Sequence, residues 1–179
     1  MKKILFSALA AGTGAFALSA HATSQINFDG EVVAETCETN VNGVPTPTPV
    51  NVSLPHVSVN ALAAAGARAG ETRFTVGLAN CVGALTTAAA HFEDGPSVTP
   101  EGRLRNMTGT ATNVELELTD ESNAGASIKV GDANQRTNTQ HGAIVGGALS
   151  LPYGVQYYAT DAATPGTVNS LVRFTVDYQ

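Results

Sequence analysis

The most chemically suggestive cluster in the sequence is His91-Phe92-Glu93-Asp94. On an extended chain successive side chains alternate faces, so His91 and Glu93 would share one side. An imidazole beside a carboxylate is the pairing a general base uses. The same residues run into Gly95-Pro96, a turn signal, and charges at such a place ordinarily mark a solvated strand end. His56 and His141 sit beside Pro55 and Gly142 without a clustered partner, and read as surface residues. There is no Gly-x-Ser-x-Gly elbow, paired-histidine metal motif or phosphate-binding loop. The two glycosylation-type acceptors, Asn51-Val52-Ser53 and Asn106-Met107-Thr108, are patterns short enough to occur by chance. The expectation is a protein without catalytic activity, needing no cofactor and no metal.

The elements that would position any site begin after a leader. Lys2 and Lys3 precede a short apolar run, Ile4 to Leu18, and Ala20-His21-Ala22 is a small-x-small cleavage pattern. Residues 1–22 are therefore expected to be a secretory signal peptide, too short for a confident membrane span. Thr23 to Gln179 then provide 157 residues, enough for one domain with a real core. Without the two leader lysines the formal net charge moves from −6 to −8, and Lys129 is the only lysine left. An acidic chain with no basic stripe argues against nucleic acid and against insertion into anionic membrane as partners. Cys37 and Cys81 in an exported chain read by default as one disulfide, since an oxidising compartment favours it.

Period-two alternation dominates the rest. It runs through Val50, Val52 and Leu54 before Pro55, through Phe74, Val76 and Leu78, and through Val114, Leu116 and Leu118. It returns in Leu149 to Tyr157 and again in Val168 to Tyr178. The prolines at 45, 47 and 49 predict a stiff extended loop, Asn60–Gly70 a turn of helix or a loop, and Asn134–Gly142 a polar loop. Seven or so short strands between turn signals predict an all-β sandwich.

Both ends of the exported chain alternate. In Ile26-Asn27-Phe28-Asp29-Gly30-Glu31-Val32 the positions 26, 28, 30 and 32 fall on one face, although terminal segments usually fray unless tied down. At the other end Gly166, fourteenth from the last residue, opens a run of alternating apolar residues with Tyr178 penultimate.

Taken together in order and spacing, several stretches resemble the chaperone–usher pilins of Gram-negative bacteria, in particular type 1 fimbrial major subunits. They are Ile26 to Val33 ahead of Cys37, Phe74-x-Val76-x-Leu78-x-Asn80-Cys81, and Ala111-Thr112-Asn113-Val114 through Asp120. Tyr157 to Thr160, Ala163-Thr164-Pro165-Gly166 and the closing Tyr178-Gln179 complete the set. Pro55, where the family usually has glycine, and Val155, where alanine is commoner, depart from the pattern without touching the terminal motifs.

The resemblance implies an incomplete immunoglobulin-like β-sandwich whose final strand is missing and is supplied by a donor strand. It implies an N-terminal donor-strand extension at 23–36, with Ile26, Phe28, Gly30 and Val32 entering a neighbour's groove, and a pilin domain at 37–179. Gly166, Val172, Phe174, Val176, Tyr178 and Gln179 would belong to the strand that lines the groove and zips against a periplasmic chaperone. Burial of Ile26, Phe28 and Val32 would contribute roughly 5–9 kcal/mol as an upper bound. Implied partners are other copies, related pilins, the chaperone and an outer-membrane usher. The implied location is a fimbrium reached through the periplasm and used in adhesion. Rival readings are a minor pilin, either adaptor or terminator, and a secreted monomeric carbohydrate-binding sandwich; the absence of tryptophan counts against the last.

Overall fold

A computed structural model describes residues 36–179. The expected signal peptide and, apart from Thr36, the N-terminal extension lie outside the described residues. So do the four expected donor positions, Ile26, Phe28, Gly30 and Val32.

Among the described residues, ten strands form two antiparallel sheets. In the larger, β1 (Thr36–Val41) pairs with β2 (Val44–Pro45) and with β3 (Arg68–Val82). β3 pairs with β9 (Leu149–Ala159), β9 with β6 (Val114–Asp120), and β6 with β5 (Leu104–Arg105) and β7 (Ala126–Ile128). In the smaller, β4 (Thr87–Phe92) lies between β10 (Phe174–Tyr178) and β8 (Gly142–Ala143). The all-β sandwich expected from the alternation is the architecture found.

The alternation sets the core. Phe74, Val76 and Leu78 of β3, Leu116 and Leu118 of β6, and Leu151, Tyr153 and Val155 of β9 are all buried. They meet Ala90 and Phe92 of β4 across the sandwich. The rings of Phe92 and Tyr153 cross edge-to-face at 5.1 Å, and Phe74 lies 5.9 Å from Tyr153. Such ring pairs add to what area burial alone contributes. The Ala90 amide donates to the Tyr153 hydroxyl at 2.9 Å, which ties one sheet to the other. Burial, opposed by that hydrogen bond, pushes the Tyr153 phenol up to about 12.

Two local expectations need amendment. The strand expected from the alternation through Phe74, Val76 and Leu78 begins at Arg68, across a register shift between Ala69 and Thr72. Gly70 there has φ +68, and a β-carbon on it would meet Val57 Cγ1 at 2.8 Å, so glycine answers both backbone and packing. Ahead of it, Val59–Leu62 is a single 3₁₀ turn whose Ser58 hydroxyl accepts from the Asn60 amide. The polar loop contains one helical turn, α1 (Gln135–Asn138). Its Gln135 is buried: Oε1 accepts from the Phe92 amide at 2.6 Å and Nε2 donates to the Phe92 carbonyl at 2.9 Å. The side chain thus stands in for a neighbouring strand at the end of β4.

Cys37 and Cys81 are disulfide-bonded, with their α-carbons 4.1 Å apart. The bond joins β1 to the end of β3, and closing a loop of that length stabilises a fold by roughly 4 kcal/mol on the chain-entropy model.

Candidate functional site

His91, Glu93 and Asp94 do not converge into a catalytic group. β4 ends at Phe92, Glu93 contributes its amide to the Arg173 carbonyl, and Asp94 caps its own turn by accepting from the Gly95 amide. His91 Nδ1 is buried without a hydrogen-bond partner among the described residues. His141 Nε2 lies 3.5 Å from Asp177, and His56 is exposed. No group of three or more His, Cys, Asp or Glu suited to a metal ion occurs among the described residues.

The unusual place in the fold is the edge formed by 167–179. Residues alternate in the direction of both side chain and main-chain polar groups, so odd and even positions must be followed separately. The carbonyls of the odd positions are satisfied. The Thr167 carbonyl accepts from the Ala111 amide, the Asn169 carbonyl from the Met107 amide and the Arg173 carbonyl from the Glu93 amide. The Leu171 carbonyl accepts from the Ser97 hydroxyl at 2.7 Å, and Thr175 and Asp177 lie opposite His91 and Ala89 in the β4–β10 ladder. The even positions are not. The main-chain groups of Val168, Ser170 and Val172 make no hydrogen bond among the described residues, and β10 is the edge of its sheet. The Ser170 hydroxyl is buried and equally without a partner among them.

A second stretch shares this condition. Val50 to Val57 forms no regular element, and none of its main-chain groups bonds to another described residue. The sequence marks Val50, Val52 and Leu54 as a strand face; the geometry gives them the face without a ladder. Val52 and Leu54 rest half-buried on the same core cluster as Val168, Val172 and Phe174, and Val57, Val168 and Tyr157 continue the stripe onto a smaller cluster. Buried main-chain groups are paired in the great majority of native structures. Two unpaired edges beside a half-covered apolar stripe can therefore do one thing well: accept an extended chain, with main-chain bonds for affinity and alternate pockets for side chains.

The named groove residues lie as follows. A β-carbon on Gly166 would sit 2.4 Å from the Ala111 amide nitrogen, so this position admits only glycine. Val172, Phe174, Val176 and Tyr178 are half-buried on the inner face, and burial raises the Tyr178 phenol. The Gln179 carbonyl oxygen accepts from the Thr86 and Thr87 amides and from both their hydroxyls, at 2.9 to 3.3 Å. Sequence reasoning missed Asn106, whose amide replaces a strand along the first part of this edge. Its Nδ2 donates to the Ala111 and Thr167 carbonyls, and its Oδ1 accepts from the Gly109 and Asn169 amides. The Asn106-Met107-Thr108 acceptor pattern therefore has its amide fully engaged inside the fold.

The outer face of the large sheet is polar and internally paired. Arg68 makes two hydrogen bonds to the buried Glu117, and Gln156 donates a third. Burial alone would raise the Glu117 carboxyl. The hydrogen bonds from Arg68, Ser127 and Gln156, with the guanidinium charge, outweigh it and hold the group below the usual carboxylate range.

Known proteins carry the same architecture. The chain superposes on the P pilus rod subunit PapA with a TM-score of 0.56 at 17% identity, covering 80% of this chain and 99% of that one. It superposes on a Burkholderia pseudomallei antigen and type I fimbria protein at 0.53 and 23% identity, covering 80% and 95%. These likenesses place the fold among the immunoglobulin-like pilin sandwiches. In sequence it is 39% identical to the major fimbrial subunit SMF-1 of Stenotrophomonas maltophilia, over 88% of this chain and 93% of that protein. It is 36% identical to the F17 fimbrial protein of Escherichia coli, over 87% of each. The family model described as "Fimbrial protein" matches residues 26–179, a span that takes in both the alternating N-terminal segment and the half-open edge, and the chain belongs to that family.

Proposed function

We propose that this protein is a structural subunit of a cell-surface fimbria, polymerised by donation of an N-terminal strand from one copy to the next. The observation that carries the reading is the pair of unpaired main-chain edges, Val50–Val57 and the even positions from Val168 to Val172, flanking a half-buried apolar stripe. Ile26, Phe28 and Val32 of a neighbouring copy would seat on Val52, Leu54, Val168, Val172 and Phe174, with Gly30 where a side chain has no room. The unsatisfied amides and carbonyls would pair with the donor, and Ser170 would meet its main chain. One lane used by one strand of the next copy is a head-to-tail contact, which builds an open filament rather than a closed ring.

An exposed lane of this kind invites aggregation. A periplasmic chaperone holding the edge until an outer-membrane usher exchanges it for the donor strand is the arrangement that protects it. A signal peptide at 1–22, a donor extension at 23–36 and a non-catalytic role in adhesion complete the reading. No helix of the described residues is long and apolar enough to cross a membrane.

The test is an SDS gel of surface-sheared material, heated and unheated, from cells carrying the full chain or a chain lacking 23–36. Strand donation predicts high-mass material that collapses to one band on heating, because release requires opening a sandwich. It also predicts no such material from the shortened chain. Polymer formed without 23–36, or a monomer from the intact chain, would remove the reading.

A further inference from the structure

The sequence that leads from β2 to the Val50–Val57 border is Pro45-Thr46-Pro47-Thr48-Pro49, and every residue from Asn42 to Pro49 is exposed. Exposed segments with few buried contacts ordinarily sit at the low-stability end of a fold. This one is anchored. The Asn42 Oδ1 accepts from the Thr75 amide at 2.8 Å, and Pro45 of β2 lies opposite Asn40 of β1. The Thr46 amide donates to the Thr39 carbonyl at 2.9 Å, and the Thr48 amide to the Pro45 carbonyl at 3.3 Å. Three prolines at alternate positions each fix φ, so little freedom is left between them.

The two threonines held in this segment differ. The Thr46 hydroxyl donates to the Thr39 carbonyl at 3.1 Å. The Thr48 hydroxyl makes no hydrogen bond among the described residues. Both of its neighbours are prolines, which have no amide to bond it. Exposed threonine hydroxyls elsewhere are engaged: Thr112 with Thr164, Thr110 with Thr167, and Thr86 with the Gln179 carbonyl. Thr48 is thus a free hydroxyl on a stiff, threonine- and proline-rich segment, the composition that carries O-linked sugar in exported proteins.

We propose that Thr48 is an acceptor of O-linked saccharide, transferred after export from a polyprenyl-diphosphate-linked sugar by a membrane transferase. The Thr48 Oγ1 attacks the anomeric carbon of the donor sugar. A glycosidic C–O bond forms there as the bond from that carbon to the diphosphate oxygen breaks. The diphosphate leaves with the electron pair, and the hydroxyl proton passes to a base of the transferase. A lipid carrier is the donor class that suits a chain already outside the cytoplasm, where soluble nucleotide sugars do not follow. Pro49 biases Thr48 toward extended backbone, so part of the ordering that a transferase would impose on its acceptor is already made. The inference rests on the export reading of 1–22 and not on how copies join. A filament of such copies would carry saccharide at every repeat.

The test is mass spectrometry of the chain recovered from the envelope of the cells that naturally make it. The unmutated chain should exceed its polypeptide mass by one or more monosaccharide residues. Electron-transfer fragmentation of the peptide ending at Arg68 should place them on Thr48. Thr48→Ala should lose the added mass entirely and still reach the envelope, since the hydroxyl supports no bond in the fold. Thr48→Ser, which keeps a hydroxyl, should regain it, and Thr46→Ala should retain it. A chain made without 1–22 and recovered from the cytoplasm should carry none. A bare polypeptide mass for the unmutated chain, or added mass that persists in Thr48→Ala on Asn51 or elsewhere, would overturn the proposal. Added mass on the leaderless chain would overturn the lipid-linked donor and leave a nucleotide sugar as the source. None of these readouts needs a polymer, so a failure of strand donation would leave them unchanged.

Discussion

β9 and the segment 167–179 carry the same kind of sequence and meet opposite fates. Both alternate apolar inward residues with polar outward ones. β9 has a strand on each side, β3 and β6, and its Leu151, Tyr153 and Val155 are 5% exposed or less. The segment 167–179 has partners on one side only, and its Val168, Val172, Phe174, Val176 and Tyr178 all stay half-buried. Alternation reports which face of a sandwich a residue takes. It is silent on how many edges of the strand are filled.

The comparison can be broken most forcefully at Tyr153. Tyr153→Ala removes the ring that packs on Phe74 and Phe92 and should destabilise the chain by about 4 kcal/mol in urea titration. The loss should be the same with or without a synthetic Thr23–Thr36 peptide, because nothing remains to be completed around β9. Next comes Asn106→Ala. It strips partners from the Gly109 and Asn169 amides and should cost about 2 kcal/mol by thermal unfolding, loosening the edge before β10. A silent Asn106→Ala would mean that water replaces the amide and that the edge is not braced there.

Phe174→Ala sharpens the contrast. Half-buried and on the open side, it should cost about 1–2 kcal/mol in the uncompleted chain and clearly more once the peptide is added. An identical loss in both conditions would show that the half-open stripe is not where the peptide binds. The smallest effect concerns acid. The Glu117 carboxyl is held below its ordinary range in the fold, so its contribution is present above the unfolded value and fades as pH falls through the folded one. Glu117→Gln should therefore flatten the acid limb of a stability profile below about pH 4.5 and leave the alkaline limb alone. An unchanged acid limb would mean that another carboxylate controls it.

Much of the sandwich was legible because the large sheet buries one face, and burial of one face writes a period of two into the sequence. Phe74, Val76, Leu78, Leu116, Leu118, Leu151 and Tyr153 were marked as inward residues by that signal alone. Less legible were features made by single side chains acting as main chain. Gln135 and Asn106 each substitute for a strand, and nothing in a polar loop separates such a residue from its solvated neighbours. The lane itself was half visible. Its 167–179 border carried the terminal motif, whereas its Val50–Val57 border had only three alternating residues before Pro55. The resemblance supplied what periodicity could not, the idea of a strand that is absent.

One covalent feature acquires a mechanical meaning if copies are joined through their N-terminal segments. A pull on the fibre would reach each domain at Thr36, one residue before Cys37. The disulfide carries that load to Cys81, near the end of the fifteen-residue β3, whose ladder with β9 runs most of the length of the sheet. The shorter β1–β3 ladder is thereby bypassed. Force along β3 instead strains its bonds to β9 together, in shear. The position of the disulfide thus moves the pull from a short ladder to a long one.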